Sequence, residues 1–277
     1  MYIKSLVEEK FKTLNNKKEI SFKFYINKML LSAYCYIKPN ADKLFIVLNG
    51  ALDREKTKDG IIYHRYSWVE HFDGHVLFIA DPTLTLYKDI NLAWYMGDKY
   101  TPLYETLAMF ITECANNLNC EYIVTYGSSG GGFASMQLAC LLDDNAMAVA
   151  VNPQTNIIKW FEDGRDSFLS DCFSTKLNEI KFLNDNSRFN AIKNIKENKP
   201  KILYIQNAQD KWHVKNHFEP LLKELNITGW SKTFELDKHN KSFLQILWYD
   251  HPSGHGAELK EHMPIIMNSI NLMLNNN

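Results

Sequence analysis

The sequence predicts an α/β protein whose central sheet is mostly parallel and carries helices on both faces. Short, continuous apolar runs alternate along the chain with segments of helical periodicity, which is typical of repeated strand and helix units. Near the middle, the apolar run at residues 123–126 leads directly into six glycines and serines, and a helical pattern begins at once. This succession predicts a strand, a tight turn and a helix.

Length and composition agree with a single globular domain over residues 1–277. Of these residues 45% are hydrophobic and 23% charged, which is typical of a soluble protein with a large core. The formal net charge of -1 gives no reason to expect nucleic acid or an anionic membrane as partner. The first twenty residues lack the apolar stretch of a secretion signal, and no run has the length of a transmembrane segment.

Cysteine usage indicates a reducing compartment. The chain has five cysteines, an odd number, and they are scattered through predicted core elements. This pattern favours reduced, buried thiols over a disulfide framework. We therefore expect a cytoplasmic protein.

The first elements are an N-terminal helix and an edge hairpin. Residues 4–14 form an amphipathic pattern, which predicts a short helix. Residues 21–26 and 31–37 alternate apolar and polar side chains, which predicts an antiparallel hairpin at a sheet edge. Continuous apolar runs at 44–48 and 75–80 then predict two strands that are buried on both faces.

The remaining elements follow the alternating pattern. Residues 101–118 carry an apolar stripe at helical spacing, which predicts a helix before the glycine-rich turn. After that turn, the same criteria predict strands at 146–151, 201–206 and 243–248 and helices at 218–225 and 257–273.

Residues 157–199 interrupt this regularity. The segment is polar and has only weak helical periodicity. We interpret it as a cap or lid inserted over the site, and the alternative is an ordinary solvated connection between a strand and a helix.

The glycine-rich turn matches the G-x-S-x-G pattern of a nucleophilic serine on a strained strand-to-helix turn. In Gly127-Ser128-Ser129-Gly130-Gly131 the serine in register is Ser129, since Ser128 would need a glycine at position 126. The amide of Gly130 then lies at a helix N-terminus, where it can stabilise an oxyanion. The alternatives are a plain connecting turn or a phosphate-binding loop, but the lysine of a Walker motif is absent after these glycines.

Such a serine requires an acid after a later strand and a histidine after the last strand, in that chain order. Asp210 follows the strand KILYIQ, and His255 lies in the loop before the final helix, between Gly254 and Gly256. We expect Ser129, Asp210 and His255 to be the catalytic residues. The rivals that the sequence offers are His251 as the base and Asp237 or Asp250 as the acid.

Further side chains are candidates for the oxyanion hole and for substrate binding. The loop after residues 44–48 contains Gly50 and Ala51, and of their two amides we expect that of Ala51 to complete the oxyanion hole. Five aromatic residues lie in or beside strand-end loops and are candidates for stacking on sugar rings, although tryptophan more often packs in a core: Trp68, Trp94, Tyr95, Trp160 and Trp212. Of these we favour Trp68, Trp94 and Trp212. A metal site is not expected, because the cysteine spacing suggests none and the pair His213 and His217 lacks the intervening glutamate of a zinc-protease helix.

Several short motifs accompany the serine turn. In chain order they are Asn49-Gly50-Ala51, Tyr66-Ser67-Trp68, Asp81-Pro82, AWYMG at 93–97, GSSGGGFAS at 127–135 and Asn152-Pro153-Gln154. In this combination the chain resembles a bacterial branch of the α/β-hydrolase superfamily that includes capsule polysaccharide O-acetyltransferases and the accessory secretion proteins that acetylate glycan on exported adhesins. The resemblance implies an α/β-hydrolase fold, a Ser129, Asp210 and His255 triad, and a sugar hydroxyl as acyl acceptor.

Three functions are compatible with these features. The first is O-acetylation of a sugar hydroxyl in a surface polysaccharide, with acetyl-CoA as the donor and no tightly bound cofactor. The second is a carboxylesterase or deacetylase that uses the same residues with water as acceptor, and the third is a non-catalytic component of a glycan export assembly. For the CoA phosphates the sequence offers only Lys159, Arg165 and Lys211 as candidates.

Overall fold

A computed structural model describes residues 2–13, 18–175, 186–228, 232–235 and 242–275 of the chain. Its centre is one eight-stranded sheet with the order β1-β2-β4-β3-β5-β6-β7-β8. The strands are β1 Glu19–Ile26, β2 Met29–Tyr36, β3 Lys43–Leu48, β4 His75–Ile79, β5 Tyr122–Ser128, β6 Ala146–Val151, β7 Lys201–Asn207 and β8 Leu244–Tyr249. The β1/β2 and β2/β4 pairs are antiparallel, and the other pairs are parallel. The predicted mostly parallel sheet with an edge hairpin is confirmed.

Helices connect the strands and cover both faces of the sheet. They are α1 Tyr2–Lys12, α2 Thr83–Leu86, α3 Tyr104–Leu118, α4 Gly130–Ala139, α5 Glu162–Phe173, α6 Ala191–Asn198 and α8 Met263–Asn275. Between β7 and β8 lies α7, which consists of Lys211–His213, a π-helical turn Val214–Phe218 and Glu219–Leu225. Short 3₁₀ turns occur at Tyr66–His71, Ile157–Lys159 and Lys260–His262.

The core has two layers, one on each face of the sheet. Along β3, Leu44, Ile46 and Leu48 pack into the layer that contains α3 and α4, whereas Phe45 and Val47 pack into the layer that contains α8. Successive side chains of a strand point to opposite faces, so a strand buried on both faces must be apolar throughout. This is the physical basis of the continuous apolar runs in the sequence.

The last helix begins later than the sequence pattern predicts. Residues 256–259 have no regular structure, a 3₁₀ turn follows, and α8 starts at Met263 rather than at residue 257. The side chain of Glu258 is directed into the interior, where it bonds to Arg65 and Tyr126. Pro264 stands at the second position of α8, in the first turn, where a proline is tolerated. The predicted start at residue 257 was therefore wrong.

The segment interpreted as a cap is partly described. Its described parts contain the 3₁₀ turn Ile157–Lys159 and the helices α5 and α6, and Phe168 and Leu169 of α5 are buried. Residues 176–185 of this segment and Asp237, one of the rival acids, lie outside the described residues.

The cysteines and the helices bear on two further expectations. All five cysteines are free thiols, and Cys35, Cys114 and Cys172 are buried. Within the described ranges, none of the helices combines the length and the apolar character needed to cross a lipid bilayer.

Candidate active site

Ser129 occupies a strained position between β5 and α4. Its backbone has φ 54° and ψ -120°, a conformation that L-residues with a side chain rarely adopt. A side chain at Gly127 would overlap the backbone of Gly131, so the strand and the helix can approach this closely only with glycine there. The amide of Ser129 donates to Val151 O of β6 at 2.9 Å, which ties the turn to the neighbouring strand.

The structure brings Ser129, His255 and Asp210 into one hydrogen-bonded chain. His255 Nε2 lies 2.9 Å from Ser129 Oγ, and His255 Nδ1 lies 2.6 Å from Asp210 Oδ2. These distances are within the range expected of a nucleophile, its base and the acid that orients the base. All three residues lie at the carboxyl edge of the sheet, although 126 positions separate the serine from the histidine.

Two buried asparagines hold the loop that carries His255. Asn152, after β6, donates from Nδ2 to Gly256 O at 2.8 Å, and Asn207, at the end of β7, donates to Gly254 O at 2.7 Å. The carbonyls on both sides of His255 are therefore fixed. Of the two glycines, only Gly254 has a positive φ (60°), so the loop is held by these contacts rather than left free as its glycines suggested.

A buried ion pair anchors the same loop three residues further on. Arg65 Nε and Nη2 donate to the two carboxylate oxygens of Glu258, each at 2.6 Å, and the hydroxyl of Tyr126 donates to Glu258 Oε1 at 2.6 Å. The Arg65 and Glu258 side chains are only 5% and 0% exposed. Burial acts to lower the pKa of Arg65, but the neighbouring Glu258 carboxylate outweighs it and the pKa is raised.

The rival residues that the structure describes lie away from Ser129. His251 Nδ1 is paired with Ser253 Oγ at 2.7 Å, and Asp250 Oδ1 accepts from Gln209 Nε2 at 2.8 Å. Both pairs are exposed, and neither joins the hydrogen-bonded chain of Ser129. Geometry thus favours His255 and Asp210 over these two.

The loop after β3 adjoins the serine. A Cβ placed on Gly50 would lie 3.6 Å from Ser129 Cβ and 4.0 Å from the Gly130 amide. The Gly50 amide donates to His64 Nδ1 at 3.3 Å, whereas within the described part of the chain the Ala51 amide bonds to no acceptor. Of the two amides expected here, the one at Ala51 is the one that is available to a substrate.

A network of buried polar groups fixes this loop. Tyr95 Oη donates to Asn49 Oδ1 at 2.6 Å and accepts from the Asn49 amide at 2.7 Å. The Tyr95 amide in turn donates to Asp81 Oδ2 at 2.7 Å. Burial raises the pKa of Asp81 to about 6, although the bond from the Tyr95 amide acts to lower it. The motifs at Asn49, Asp81 and AWYMG therefore belong to one hydrogen-bonded network that holds the loop after β3.

Trp94 is not a stacking surface for sugar, so that expectation was wrong. Its side chain is fully buried, and both Trp94 and Tyr95 have positive φ. The Trp94 indole Nε1 instead donates to Gln154 Oε1 at 3.1 Å, and Gln154 Nε2 donates to Ser129 Oγ at 2.9 Å. Trp94 thus supports the site indirectly, through its hydrogen bond to Gln154.

An aromatic surface beside the histidines contains Trp212. Its ring stacks on Phe161, with centroids 4.4 Å apart, and packs edge-on against Trp160. Trp160 reaches the His255 ring at 6.1 Å, and Phe161 is 51% exposed. Trp68 lies elsewhere, in contact with Arg65 and the opposite core layer. Trp160 and Phe161, rather than Trp68 and Trp94, accompany Trp212 at the site.

His213 and Gln154 are site residues whose roles the sequence did not reveal. His213 Nδ1 lies 2.9 Å from Asp210 Oδ1, and the His213 ring stacks on the His255 ring at 3.8 Å with an angle of 4°. Burial acts to raise the pKa of Asp210, but hydrogen bonds from His213 and His255 hold it well below its usual range. The signal in the sequence was the D-x-x-H spacing in the first turn of a helix, which places both side chains on one face.

Few of the residues that the structure describes could hold a metal ion or the phosphates of CoA. Among the described residues, Asp210, His213 and His255 form the one group whose ligating atoms lie within 4.8 Å of one another, and these are the atoms already bonded within the site. Of the candidates for binding CoA phosphates, Arg165 is only 6% exposed and bonds to Asp166 and Ile158 O, whereas Lys159 and Lys211 are exposed. The suggestion for Arg165 was wrong, because its side chain is buried and its Nε and Nη1 already donate to Asp166 and to Ile158 O.

Sheet order, helix placement and the serine turn define the α/β-hydrolase fold. Among solved structures, the chain is similar to the capsule O-acetyltransferase of Neisseria meningitidis serogroup A, with 15% identity, a TM-score of 0.57 and coverage of 90% of this chain and 96% of that one. It is also similar to an acetyl xylan esterase from Paenibacillus sp. R4, with 12% identity, a TM-score of 0.58 and coverage of 98% and 92%. An esterase from Pyrobaculum calidifontis matches with 12% identity, a TM-score of 0.59 and coverage of 99% and 93%.

These similarities establish the fold and its resemblance to capsule O-acetyltransferases. No protein-family model matches the chain, and no curated protein matches it in sequence.

Proposed function

We propose that the protein catalyses acyl transfer through an acyl-enzyme on Ser129. The observation that carries this proposal is the hydrogen-bonded chain from Ser129 Oγ through His255 to Asp210, on a serine with strained backbone at the start of a helix. A plain connecting turn would need neither the strain nor the buried acid.

In the first half-reaction, Ser129 Oγ attacks the carbonyl carbon of the acyl donor while its proton moves to His255 Nε2. The amides of Ala51 and Gly130 stabilise the negative charge on the carbonyl oxygen. The bond from carbon to the leaving group then breaks, and the leaving group takes the proton from His255. Asp210 stays ionised and stabilises the imidazolium.

In the second half-reaction, an acceptor hydroxyl gives its proton to His255 Nε2 as its oxygen bonds to the acyl carbon. The bond between that carbon and Ser129 Oγ breaks, and Oγ recovers the proton. The triad therefore serves a sugar hydroxyl or water equally well, and the surroundings of the site decide the acceptor.

As acceptor we propose a sugar hydroxyl of a surface polysaccharide, with acetyl-CoA as donor. The surface formed by Trp160, Phe161 and Trp212 supports this choice, because flat rings pack on the apolar faces of sugars. The similarity to a capsule O-acetyltransferase supports it as well. Lys159 and Lys211 are exposed nearby and are candidates for contacts with the CoA phosphates.

Ester hydrolysis is the second candidate. The His255 side chain is 34% exposed, so its ring is accessible to water. The chain is also similar in fold to an acetyl xylan esterase.

The test combines mass spectrometry with product analysis. After exposure to acetyl-CoA or p-nitrophenyl acetate, we expect an acetyl group on Ser129 in the intact protein, mapped by peptide sequencing. Ser129→Ala should lower kcat by about 10⁶-fold, as the loss of a triad serine does in a well-studied protease. Ser128→Ala is the matched control. An adduct on Ser128 or an active Ser129→Ala would refute the serine assignment.

A second measurement separates the two acceptors. Acetyl-CoA is supplied with and without capsule-type oligosaccharides, and free CoA, acetate and glycan mass are followed separately. Trp212→Ala should weaken oligosaccharide acetylation about fivefold while p-nitrophenyl acetate turnover stays close to wild type, since loss of a stacking contact costs about 1 kcal/mol. Acetate release at an unchanged rate with no gain in glycan mass would favour the esterase.

A further inference from the structure

The proposed triad is part of a closed ring of five hydrogen bonds. Beyond the contacts of His255 with Ser129 and Asp210, Asp210 Oδ1 lies 2.9 Å from His213 Nδ1, and His213 Nε2 lies 3.0 Å from Gln154 Nε2. Gln154 Nε2 then donates to Ser129 Oγ at 2.9 Å. Asp210 thus contacts two imidazoles, one at each oxygen, and Gln154 links His213 back to Ser129.

The donors in this ring follow from Trp94. An indole N–H can only donate, so the Gln154 atom facing Trp94 must be the amide oxygen. The Gln154 nitrogen therefore faces both Ser129 Oγ and His213 Nε2, and its two protons serve these two acceptors. It follows that His213 carries its proton on Nδ1 and donates it to Asp210.

This arrangement keeps His213 neutral. A proton on His213 Nε2 would point at the Gln154 N–H, placing two donors face to face. The side chain is 1% exposed, and burial lowers its pKa, with the charge of His255 acting in the same direction and Asp210 opposing. The titratable groups that pack on it are Asp210, His217 and His255. Because His213 stays neutral, the negative charge of Asp210 stabilises an imidazolium at His255.

We propose that Gln154 is a catalytic residue and His213 a positioning residue for acyl transfer at Ser129, a role that rests on the proposed function. Gln154 directs an amide N–H at Oγ, the atom that carries charge when it attacks and when it leaves. His213 fixes the second oxygen of Asp210 and supports the His255 ring by stacking. The ring thereby holds the nucleophile, the base and the acid in one geometry before substrate arrives.

Substitutions at His213 separate the hydrogen bond from the stack. In His213→Asn the amide nitrogen replaces Nδ1 and keeps the donor to Asp210, whereas His213→Phe keeps a stacked ring and loses the donor. We expect the pre-steady-state burst with p-nitrophenyl acetate to slow less than about tenfold in the Asn variant and about 100-fold in the Phe variant. In the Phe variant the buried Asp210 Oδ1 loses its side-chain donor and keeps only the 3.3 Å bond from the backbone amide of residue 213. His217→Gln, an equally buried neighbour outside the ring, is the matched control and should slow the burst much less than His213→Phe does, since a glutamine can still accept from the Thr155 amide.

Substitutions at Gln154 test its hydrogen bonds to Ser129 and His213. Gln154→Met removes the donor to Oγ and should slow acylation about 10- to 100-fold. Gln154→Glu keeps an acceptor for Trp94 but turns a carboxylate toward His213, so His213 should take up a second proton.

Nuclear magnetic resonance gives a readout that does not depend on activity. Long-range ¹H–¹⁵N spectra of the imidazoles should show His213 neutral with its proton on Nδ1 at pH 7 in the wild type, and should show a higher pKa for His213 in Gln154→Glu than in the wild type. Thermal denaturation of each variant separates loss of the ring from loss of the fold.

The outcomes distinguish this inference from the proposed function. If wild-type protein shows no burst and no adduct on Ser129, the proposed function fails. If the wild type shows a burst and the Phe and Met variants match it, or if His213 carries its proton on Nε2, the role of the ring is overturned while acyl transfer stands. Equal losses in the Asn and Phe variants would also overturn the role of the Asp210 contact.

Discussion

At the scale of single residues, two histidines of one loop illustrate how the site is selected. His251 and His255 are four positions apart, yet His255 faces Ser129 and His251 faces Ser253. The difference arises from Asn207, which bonds to the backbone of His251 and to Gly254 O. These bonds fix the path of the loop, so the side chain at 255 is the one presented to the serine.

We predict that His255→Ala loses activity almost as completely as Ser129→Ala, by about 10⁵- to 10⁶-fold in kcat, because triad members act as a unit. His251→Ala, the matched control, should stay within about threefold of wild type, since its side chain pairs with Ser253 on the exposed side of the loop, away from Ser129. Steady-state kinetics with p-nitrophenyl acetate checks both. An inactive His251→Ala beside a normal His255→Ala would contradict this assignment.

At the scale of elements, the loop between β8 and α8 depends on a buried ion pair. Arg65 comes from the segment before β4, and Glu258 follows His255 by three positions. The paired charges satisfy each other, and Tyr126 of β5 occupies a further lone pair of the carboxylate. A single change would leave one charge buried without its partner, which is the costly case.

We predict that Glu258→Gln lowers the free energy of unfolding by about 3 kcal/mol and also lowers kcat, because the His255 loop loses its anchor. The double variant Arg65→Met with Glu258→Met should be less destabilised than the sum of its single variants, since no charge then remains buried. Urea denaturation measures the first effect. Glu261→Gln, on the same loop but exposed, should change stability by less than about 0.5 kcal/mol.

If Glu258→Gln is as stable as Glu261→Gln, the ion pair does not anchor the loop. A stable but catalytically impaired Glu258→Gln would instead limit its role to positioning His255.

At the scale of the whole molecule, several buried or partly buried histidines have lowered pKa values. Burial lowers the pKa of His64 to about 4, with the charge of Arg65 acting in the same direction. It also lowers the pKa of His75, His213, His217 and His262. The pKa of Asp81 is shifted in the opposite direction, because burial raises it to about 6. Protonation of Asp81 therefore favours the folded state as pH falls.

We predict that His64 contributes to acid lability in a defined window. Its folded pKa lies below the unfolded value of about 6.5, so the unfolded state binds more protons, and stability is lost as pH falls from about 6.5 toward 4. From pH 7 to pH 5 this one group should lower the free energy of unfolding by about 2 kcal/mol. Urea titrations at both pH values should show that His64→Gln has a pH dependence smaller by about that amount. An unchanged dependence would show that His64 titrates normally in the fold.

His64 also links acid stability to the site. Its Nδ1 accepts from the Gly50 amide, and a proton on Nδ1 would remove that acceptor. We therefore expect the loop that carries Ala51 to loosen in the same pH window.

The sequence by itself determined the fold class, the serine turn and the order of the predicted triad. These follow from local rules: continuous apolar runs mark strands that are buried on both faces, and the glycines two positions either side of Ser129 mark a turn with no room for side chains at those positions. Asp210 and His255 could be predicted because parallel strands deliver their carboxyl ends to the same edge of the sheet.

Only the tertiary structure decided which other residues belong to the site. Trp94 is buried, Trp212 lies beside the histidines, and Gln154 bonds to Ser129 and His213, none of which is encoded in spacing along the chain. The D-x-x-H spacing pairs His213 with Asp210, but its stacking on His255 depends on the fold. Hydrogen bonds form between side chains that the packing of distant elements brings within about 3 Å, and such distances depend on the whole fold rather than on local periodicity. For the same reason the start of the last helix was set by Glu258 reaching inward to Arg65 and Tyr126.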